Sequence, residues 1–226
     1  MERTKYPRTF HLPWSEGATD DDKTHTEADI EQMFAGREVV VTEKMDGENC
    51  TIYADGYTHA RSLDSAHHPS RAWVKRIASQ VGHDLPEGWR VCGENMYARH
   101  SVGYDELPSY FLAFSIWLQG PLGKSDCLPW GQTEEWCKLL GLQTVPVLYR
   151  GPWDADLVKD LWPRPSLYGS QSEGYVVRLA RGFRHDEFRT SVAKFVRANH
   201  VQTDQHWMHA EIVPNGLRVS EPEDSP

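Results

Sequence analysis

The stretch from Glu38 to Arg61 constrains this chain more than any other. Glu38-Val39-Val40-Val41-Thr42-Glu43 is rich in β-branched residues and reads as a strand. Asn49-Cys50-Thr51-Ile52-Tyr53-Ala54 reads as a second strand. Asp55-Gly56 is a strong hairpin turn, which returns Tyr57-Thr58-His59-Ala60-Arg61 antiparallel. Lys44-Met45-Asp46-Gly47-Glu48 joins the first two strands. A lysine at such a junction can point into a cleft, and Gly47 permits a tight backbone and close approach of a ligand. A lysine amine attacks only when deprotonated, so a nucleophilic role needs a depressed pKa or a compensating cation. The alternative is an ordinary charged hairpin with Lys44 in solvent.

Around this unit the pattern is strand-rich. Trp73, Val74, Ile77 and Val81 recur at helical spacing and predict a helix over 70–81. Short helices are expected at 29–34 and 133–140, the second capped by Gly141. Strands are expected at 89–94, 110–117, 174–179 and 191–196, with 144–149 as an edge strand because of Pro146. Strands without regular βα alternation predict an α+β fold with antiparallel sheets. At 226 residues the chain suits one large domain or two small ones. The expected organisation is an acidic N-terminal segment, 1–37, packed on or leading into a core domain, 38–210, followed by an acidic, flexible tail, 211–226.

The formal charge of −9 argues against a passive basic coat for nucleic acid. The acidity is uneven. Residues 1–43 hold 5 Lys+Arg and 10 Asp+Glu, and residues 211–226 hold 1 and 4, which leaves 18 and 19 for the middle. A nearly neutral middle can separate basic and acidic patches by face. Cys50, Cys92, Cys127 and Cys137 lack zinc-site spacing and read as thiols of a reducing compartment. With no apolar signal core and no membrane-length apolar run, a soluble cytoplasmic protein is expected.

Lys44-Met45-Asp46-Gly47-Glu48-Asn49 resembles motif I, KxDGxN, of the covalent, ATP-grasp-like nucleotidyltransferases, which include ATP-dependent RNA and DNA ligases and mRNA capping enzymes. Further motifs follow in the family's order. Arg61-Ser62 resembles the arginine motif after motif I. Val91-Cys92-Gly93-Glu94-Asn95 resembles motif III, and Phe111-Leu112-Ala113-Phe114-Ser115-Ile116 resembles motif IIIa. Ser172-Glu173-Gly174-Tyr175-Val176-Val177-Arg178 resembles motif IV, and Ser191-Val192-Ala193-Lys194-Phe195 resembles motif V. Gly-Glu in motif III and Glu-Gly-x-Val in motif IV are similar to the RNA ligase branch. Residues 194–200 and 202–207 also look like compact RNA ligases. About 30 residues follow Lys194, too few for the five-stranded OB-fold domain that DNA ligases and capping enzymes add, so a chain without an OB-fold is expected.

What the resemblance implies is an ATP-dependent RNA ligase. Lys44 takes AMP from ATP, passes it to an RNA 5′-phosphate, and a 3′-hydroxyl then displaces AMP. Asp46, Glu94 and Glu173 are implied as metal-side carboxylates for Mg²⁺, with Mn²⁺ as an alternative; Asp46 has turn capping as its other reading. Arg61, Arg178 and Lys194 are implied phosphate ligands, Phe114 an adenine-stacking ring, Glu43 a backbone reader of adenine, and Asn49 a ribose or phosphate contact. The implied partners are ATP and RNA, with a helper protein left open and a monomer as the default. A minimal DNA or nick ligase, a GTP-dependent guanylyltransferase and a non-catalytic RNA-binding relative stand as alternatives. Two positions depart from the family pattern. Val192 occupies the place of a first motif V lysine, so Lys194 acts alone or Arg189 or Arg197 supplies the charge. Ser115 stands where an aspartate is common.

Overall fold

The computed structural model describes residues 2–65, 68–120, 125–199 and 212–219. In chain order the elements are β1 (Phe10–His11), α1 (Glu27–Phe34), β2 (Glu38–Glu43), β3 (Glu48–Tyr53), β4 (Thr58–Ala60), α2 (Ala72–Val81), β5 (Trp89–Asn95), β6 (Phe111–Gln119), β7 (Ser125–Cys127), α3 (Trp130–Leu139), β8 (Gln143–Thr144), β9 (Val147–Pro152), α4 (Ala155–Asp160), β10 (Gly174–Leu179), β11 (Phe183–Arg184) and β12 (Val192–Val196). Residues 200–211, which carry His200, His206, Trp207 and His209, lie outside the described residues, as does His67.

Two sheets carry the fold. One runs β1-β12-β10-β2-β9, and the other runs β11-β7-β6-β5-β3-β4 with β8 added beside β6. Every pairing is antiparallel except β1 with β12 and β6 with β8. The expected α+β class with antiparallel sheets is the fold the chain adopts. β2 is a continuous apolar run because it is an interior strand covered on both faces: Val39 and Val41 join one core cluster and Val40 another. Helix α1 starts where Thr26 and Asp29 cap each other, Thr26 N–H donating to Asp29 Oδ2 at 2.8 Å and Asp29 N–H to Thr26 Oγ1 at 3.1 Å. It buries Ile30, Met33 and Phe34 in the same cluster as Val39, Val41, Val177 and Phe195. Helix α2 buries Val74, Ala78 and Val81, one face at helical spacing, in a cluster with Cys50, Ile52 and Val91 of the second sheet.

The expected strand over 144–149 is split. Pro146, which has no N–H to donate, separates β8 in the second sheet from β9 at the edge of the first. The segment before α1 is more than a lead-in. Its two-residue strand β1 sits beside β12, with Phe10 opposite Ala193 and His11 opposite Lys194, and Leu12 N–H donates to the Lys194 carbonyl at 2.7 Å. All four cysteines are free and buried. No helix among the described residues is long and apolar enough to cross a membrane.

Candidate active site

The sheets enclose a cavity of about 1330 Å³. Its walls come from the β2–β3 junction, the end of β5, the middle of β6, the facing sides of β10 and β12, and the N-terminal arm. All ten residues singled out in the motifs, Glu43, Lys44, Asp46, Asn49, Arg61, Glu94, Phe114, Glu173, Arg178 and Lys194, line it. Strand pairing explains why. Register sets Asn49 opposite Glu94 and Val176 opposite both Thr42 and Lys194. Residues far apart in sequence therefore share one wall.

Lys44 is at the centre. Its backbone N–H donates to the Gly174 carbonyl at 3.0 Å, which ties the end of β2 to the start of β10. Its Nζ is hydrogen-bonded and ion-paired to Glu173 Oε1, a carboxylate only 2% exposed. Burial pulls the Lys44 pKa down, but Glu173, Glu94 and Asp46 together outweigh it and hold the ammonium above its ordinary value. The resting lysine is thus protonated and must lose a proton before it can attack. Glu94 shows the converse. Burial pushes its carboxyl up to about 8, against the pull of Lys44. Lys194 is brought down to about 8, first by burial and then by repulsion from Lys44.

The three carboxylates expected at the metal side stand around the lysine. Among the described residues no group of three or more His, Cys, Asp or Glu side chains forms a ready metal cage. Asp46 Oδ2 accepts from Ser101 Oγ and Val102 N–H, both at 2.7 Å, so this carboxylate anchors the loop after β5. That is close to its capping reading, applied to a distant loop. Glu94 does fit a hard cation: its Oε2 is buried without a hydrogen-bond partner, an orphaned acceptor where an oxygen ligand would be wanted.

Arg178 is redirected. Its guanidinium donates to the carbonyls of Leu128 at 2.8 Å, Phe114 at 3.3 Å and Leu179 at 3.3 Å. It also lies 5.2 Å from the Phe183 ring centroid. These bonds make it a staple between the sheets that fixes the Phe114 backbone, and its donors are already engaged with protein. Arg61, by contrast, is exposed at the cavity mouth. Replacing Arg178 with alanine is therefore expected to cost about 2 kcal/mol in folding, because buried carbonyls lose a charged donor. Arg61→Ala should leave the denaturant midpoint within about 0.5 kcal/mol. Paired urea melts test the contrast, and equal midpoints would contradict it.

Glu43 is 2% exposed, its N–H donates to the Pro146 carbonyl at 2.8 Å, and its Oε2 accepts from Leu167 N–H at 3.2 Å. It braces the loop before β10. Asn49 points a buried, unpartnered Oδ1 at the site. Phe114 lines the cavity with Val176 and meets Tyr6 edge-to-face at 5.1 Å. Tyr6, Arg8 and Asp22, all from the N-terminal arm, were not singled out by the sequence reading. Neither was Arg71, whose Nε donates to Glu48 Oε2 at 2.8 Å. The arm residues sit in irregular chain with no periodic signal, and Arg71, in the turn that leads into α2, meets Glu48 only through tertiary packing.

His11 backs the Lys194 end of the cavity. It is fully buried, with Nδ1 at 2.7 Å from Ser15 Oγ and Nε2 at 3.5 Å from Asp22 Oδ1. Burial, then Lys194, lowers its pKa to about 4, and the nearby Asp22 does not reverse this. The unfolded chain therefore binds more protons than the folded one between about pH 4 and 6.5. Folding stability is fully present above this window and is lost as pH falls through it, by roughly 2–3 kcal/mol for His11 alone. His25 and His59 shift the same way. Glu94, pushed up to about 8, acts in the opposite sense over this range, so the test is a difference between melts: from pH 7 to 4.5 the wild type should lose stability relative to His11→Gln. An unchanged difference would contradict the assignment.

Comparison with known proteins fits this geometry. The fold resembles that of a Naegleria gruberi RNA ligase variant solved with ATP and Mn: TM-score 0.57, 18% identity, covering 85% of this chain and 62% of that one. The same organism's RNA ligase with PPi gives TM-score 0.57 and 18% identity over 87% of this chain and 61% of that one. An archaeal ATP-dependent RNA ligase gives TM-score 0.52 and 17% identity over 85% and 48%. This chain thus spans about three fifths of the length of the first of these structures. No curated protein matches the sequence. The RNA ligase family model matches residues 37–196, which hold β2 to β12 and every motif-bearing wall of the cavity, and the chain belongs to the RNA ligase family.

Proposed function

We propose that the chain is an ATP-dependent RNA end-joining ligase that works through an adenylyl group carried on Lys44. The observation that carries this is the placement of Lys44 Nζ in the cavity against Glu173, with Glu94 and Asp46 around it and Lys194 on the adjoining wall. A ring of acids around one lysine both holds it in place and offers its proton somewhere to go. The similar structures solved with ATP and Mn and with PPi support a nucleoside triphosphate as the donor.

In the first step a bond forms from Lys44 Nζ to the α-phosphorus and the bond to pyrophosphate breaks, its electron pair leaving on oxygen. Glu173 Oε1, already bonded to Nζ, is the acceptor for the amine proton. In the second step an RNA 5′-phosphate oxygen takes the adenylyl group, and the electron pair returns to Nζ with a proton. In the third a 3′-hydroxyl oxygen bonds to the activated 5′-phosphorus and gives its proton to solvent, while the bond to AMP breaks with its electron pair leaving on the AMP oxygen. These displacements depend mainly on positioning and charge. Phe114 and Val176 supply apolar walls for the base, and Arg61 supplies a cation at the mouth. Glu94 and Glu173 would hold a divalent ion such as Mg²⁺ or Mn²⁺, which when bound offsets phosphate charge.

Labelling with ATP against GTP, then offering single-stranded RNA, nicked RNA, nicked DNA and hybrids, tests this reading. ATP labelling with RNA sealing is expected. Labelling by GTP without sealing would favour a guanylyltransferase, sealing of nicked DNA alone would favour a DNA ligase, and RNA binding without any label would favour a non-catalytic relative.

A further inference from the structure

Among the described residues seven cationic and seven acidic side chains line the cavity, and three of the cations are ion-paired to acids. Lys44 is held by Glu173, Arg71 by Glu48, and Arg8 by Asp22. A tetra-anionic triphosphate that recruits any of these three cations must open its partnership. They are not equally able to do so. The Lys44–Glu173 and Arg71–Glu48 side chains are 24% exposed or less, whereas the Arg8 side chain is 48% exposed. Arg178 is fixed on backbone carbonyls.

The Lys194 end of the cavity lacks a second cation on its own strand. Val192, two residues before Lys194 and therefore on the same face of β12, is apolar and lines the cavity too. The sequence left Arg189 and Arg197 as substitutes. Neither lines the cavity, and Arg189 stacks its guanidinium 5.1 Å from the Phe10 ring centroid. Arg8 does line it. The arm carrying Arg8 runs directly into β1, whose His11 is in register with Lys194. Arg8 Nη2 donates to Asp22 Oδ1 at 3.1 Å and to the Asp21 carbonyl at 3.2 Å.

We propose that Arg8 is the second cation for the pyrophosphate end of the triphosphate, acting beside Lys194, and that its salt bridge to Asp22 is a latch the anion opens. This rests on the adenylyl-transfer reading for the identity of the anion, though not for the existence of an anion site. Arg8 lies outside residues 37–196, so this chain completes its site with a residue from beyond the family-matched region. A guanidinium suits the role, since it can contact two phosphate oxygens at once and keeps its charge throughout the working pH range.

Inorganic pyrophosphate is the probe. Calorimetric titration of the full chain should show binding that weakens at least tenfold in Arg8→Ala and recovers in part in Arg8→Lys, with thermal melts confirming that both variants fold. The pyrophosphate concentration that half-discharges the adenylylated protein should rise by a similar factor. Sealing of pre-adenylylated RNA, which releases AMP and not pyrophosphate, should fall much less than adenylylation does. Equal pyrophosphate affinity in wild type and Arg8→Ala, no measurable affinity in wild type, or equal losses in adenylylation and sealing would overturn the proposal. Wild-type pyrophosphate binding that depends on Arg8, found without any protein adenylylation, would uphold the anion site while removing the ligase reading.

Discussion

Lys44→Ala is expected to abolish ATP-dependent joining, with a loss of about 10³-fold or more, because no other group can take its place in the ring of acids. The nearest rival is Lys194. On proton affinity alone it is the better amine, since it is drawn down to about 8 while Lys44 is held above its ordinary value. Geometry reverses that order. Lys44 has Glu173 bonded to Nζ and Glu94 and Asp46 close by, so a proton acceptor is in place. Lys194 owes part of its low pKa to repulsion from Lys44 itself. Removing Lys44 therefore makes Lys194 a weaker nucleophile, not a rescuer. Single-turnover labelling with radioactive ATP measures the loss. Lys194→Ala should slow the step yet leave the label in place. A Lys44→Ala protein that still labels at a tenth of the wild-type rate would contradict the assignment.

Gly174→Ala is expected to destabilise the fold by about 3 kcal/mol or more and to disable the site at once. Gly174 has φ +150°, which L side chains rarely adopt, and a Cβ there would lie 2.1 Å from the Phe195 carbonyl oxygen. Neither strand can easily yield. Gly174 pairs with Val196 across the β10–β12 ladder, and its own carbonyl accepts from Lys44 N–H. The residue before it is Glu173 and the one before Phe195 is Lys194, so relief of the clash displaces the acid, the nucleophile and the phosphate-side cation together. Gly141, with φ +68° and nothing within 4 Å of its added Cβ, isolates the backbone contribution. Gly141→Ala should cost only about 1 kcal/mol. Urea midpoints for the two variants give the difference, and equal values would show that β12 can move aside.

The sequence made much of this site legible because its chemistry sits on strands with strong local patterns. The apolar run of β2, the junction after it and the Asp55-Gly56 turn fix a lysine beside an antiparallel framework. What the sequence could not show is which charges face each other. Arg178 has the residue type of a phosphate ligand, but Leu128 and Phe183, from other elements, turn it into a staple. The three carboxylates read as metal ligands also gather around Lys44, coming from the β2–β3 junction, the end of β5 and the residue before β10, which belong to two different sheets. The N-terminal arm was legible only as acidic. Strand β1 has two residues and no period to detect, and its partner lies almost at the other end of the described core. Helix α4 was missed for the same reason: six residues starting at an Asp154 cap are too few to declare a face.

Where the adenylyl group lands is the most direct test. The full chain is incubated with ATP and Mg²⁺ or Mn²⁺, digested, and the modified peptide sequenced by mass spectrometry. A single adenylyl group on Lys44, discharged by added pyrophosphate or by RNA bearing a 5′-phosphate, is the predicted result. An adenylyl group on Lys194, or no adduct with either ATP or GTP under both metal ions, would contradict the account.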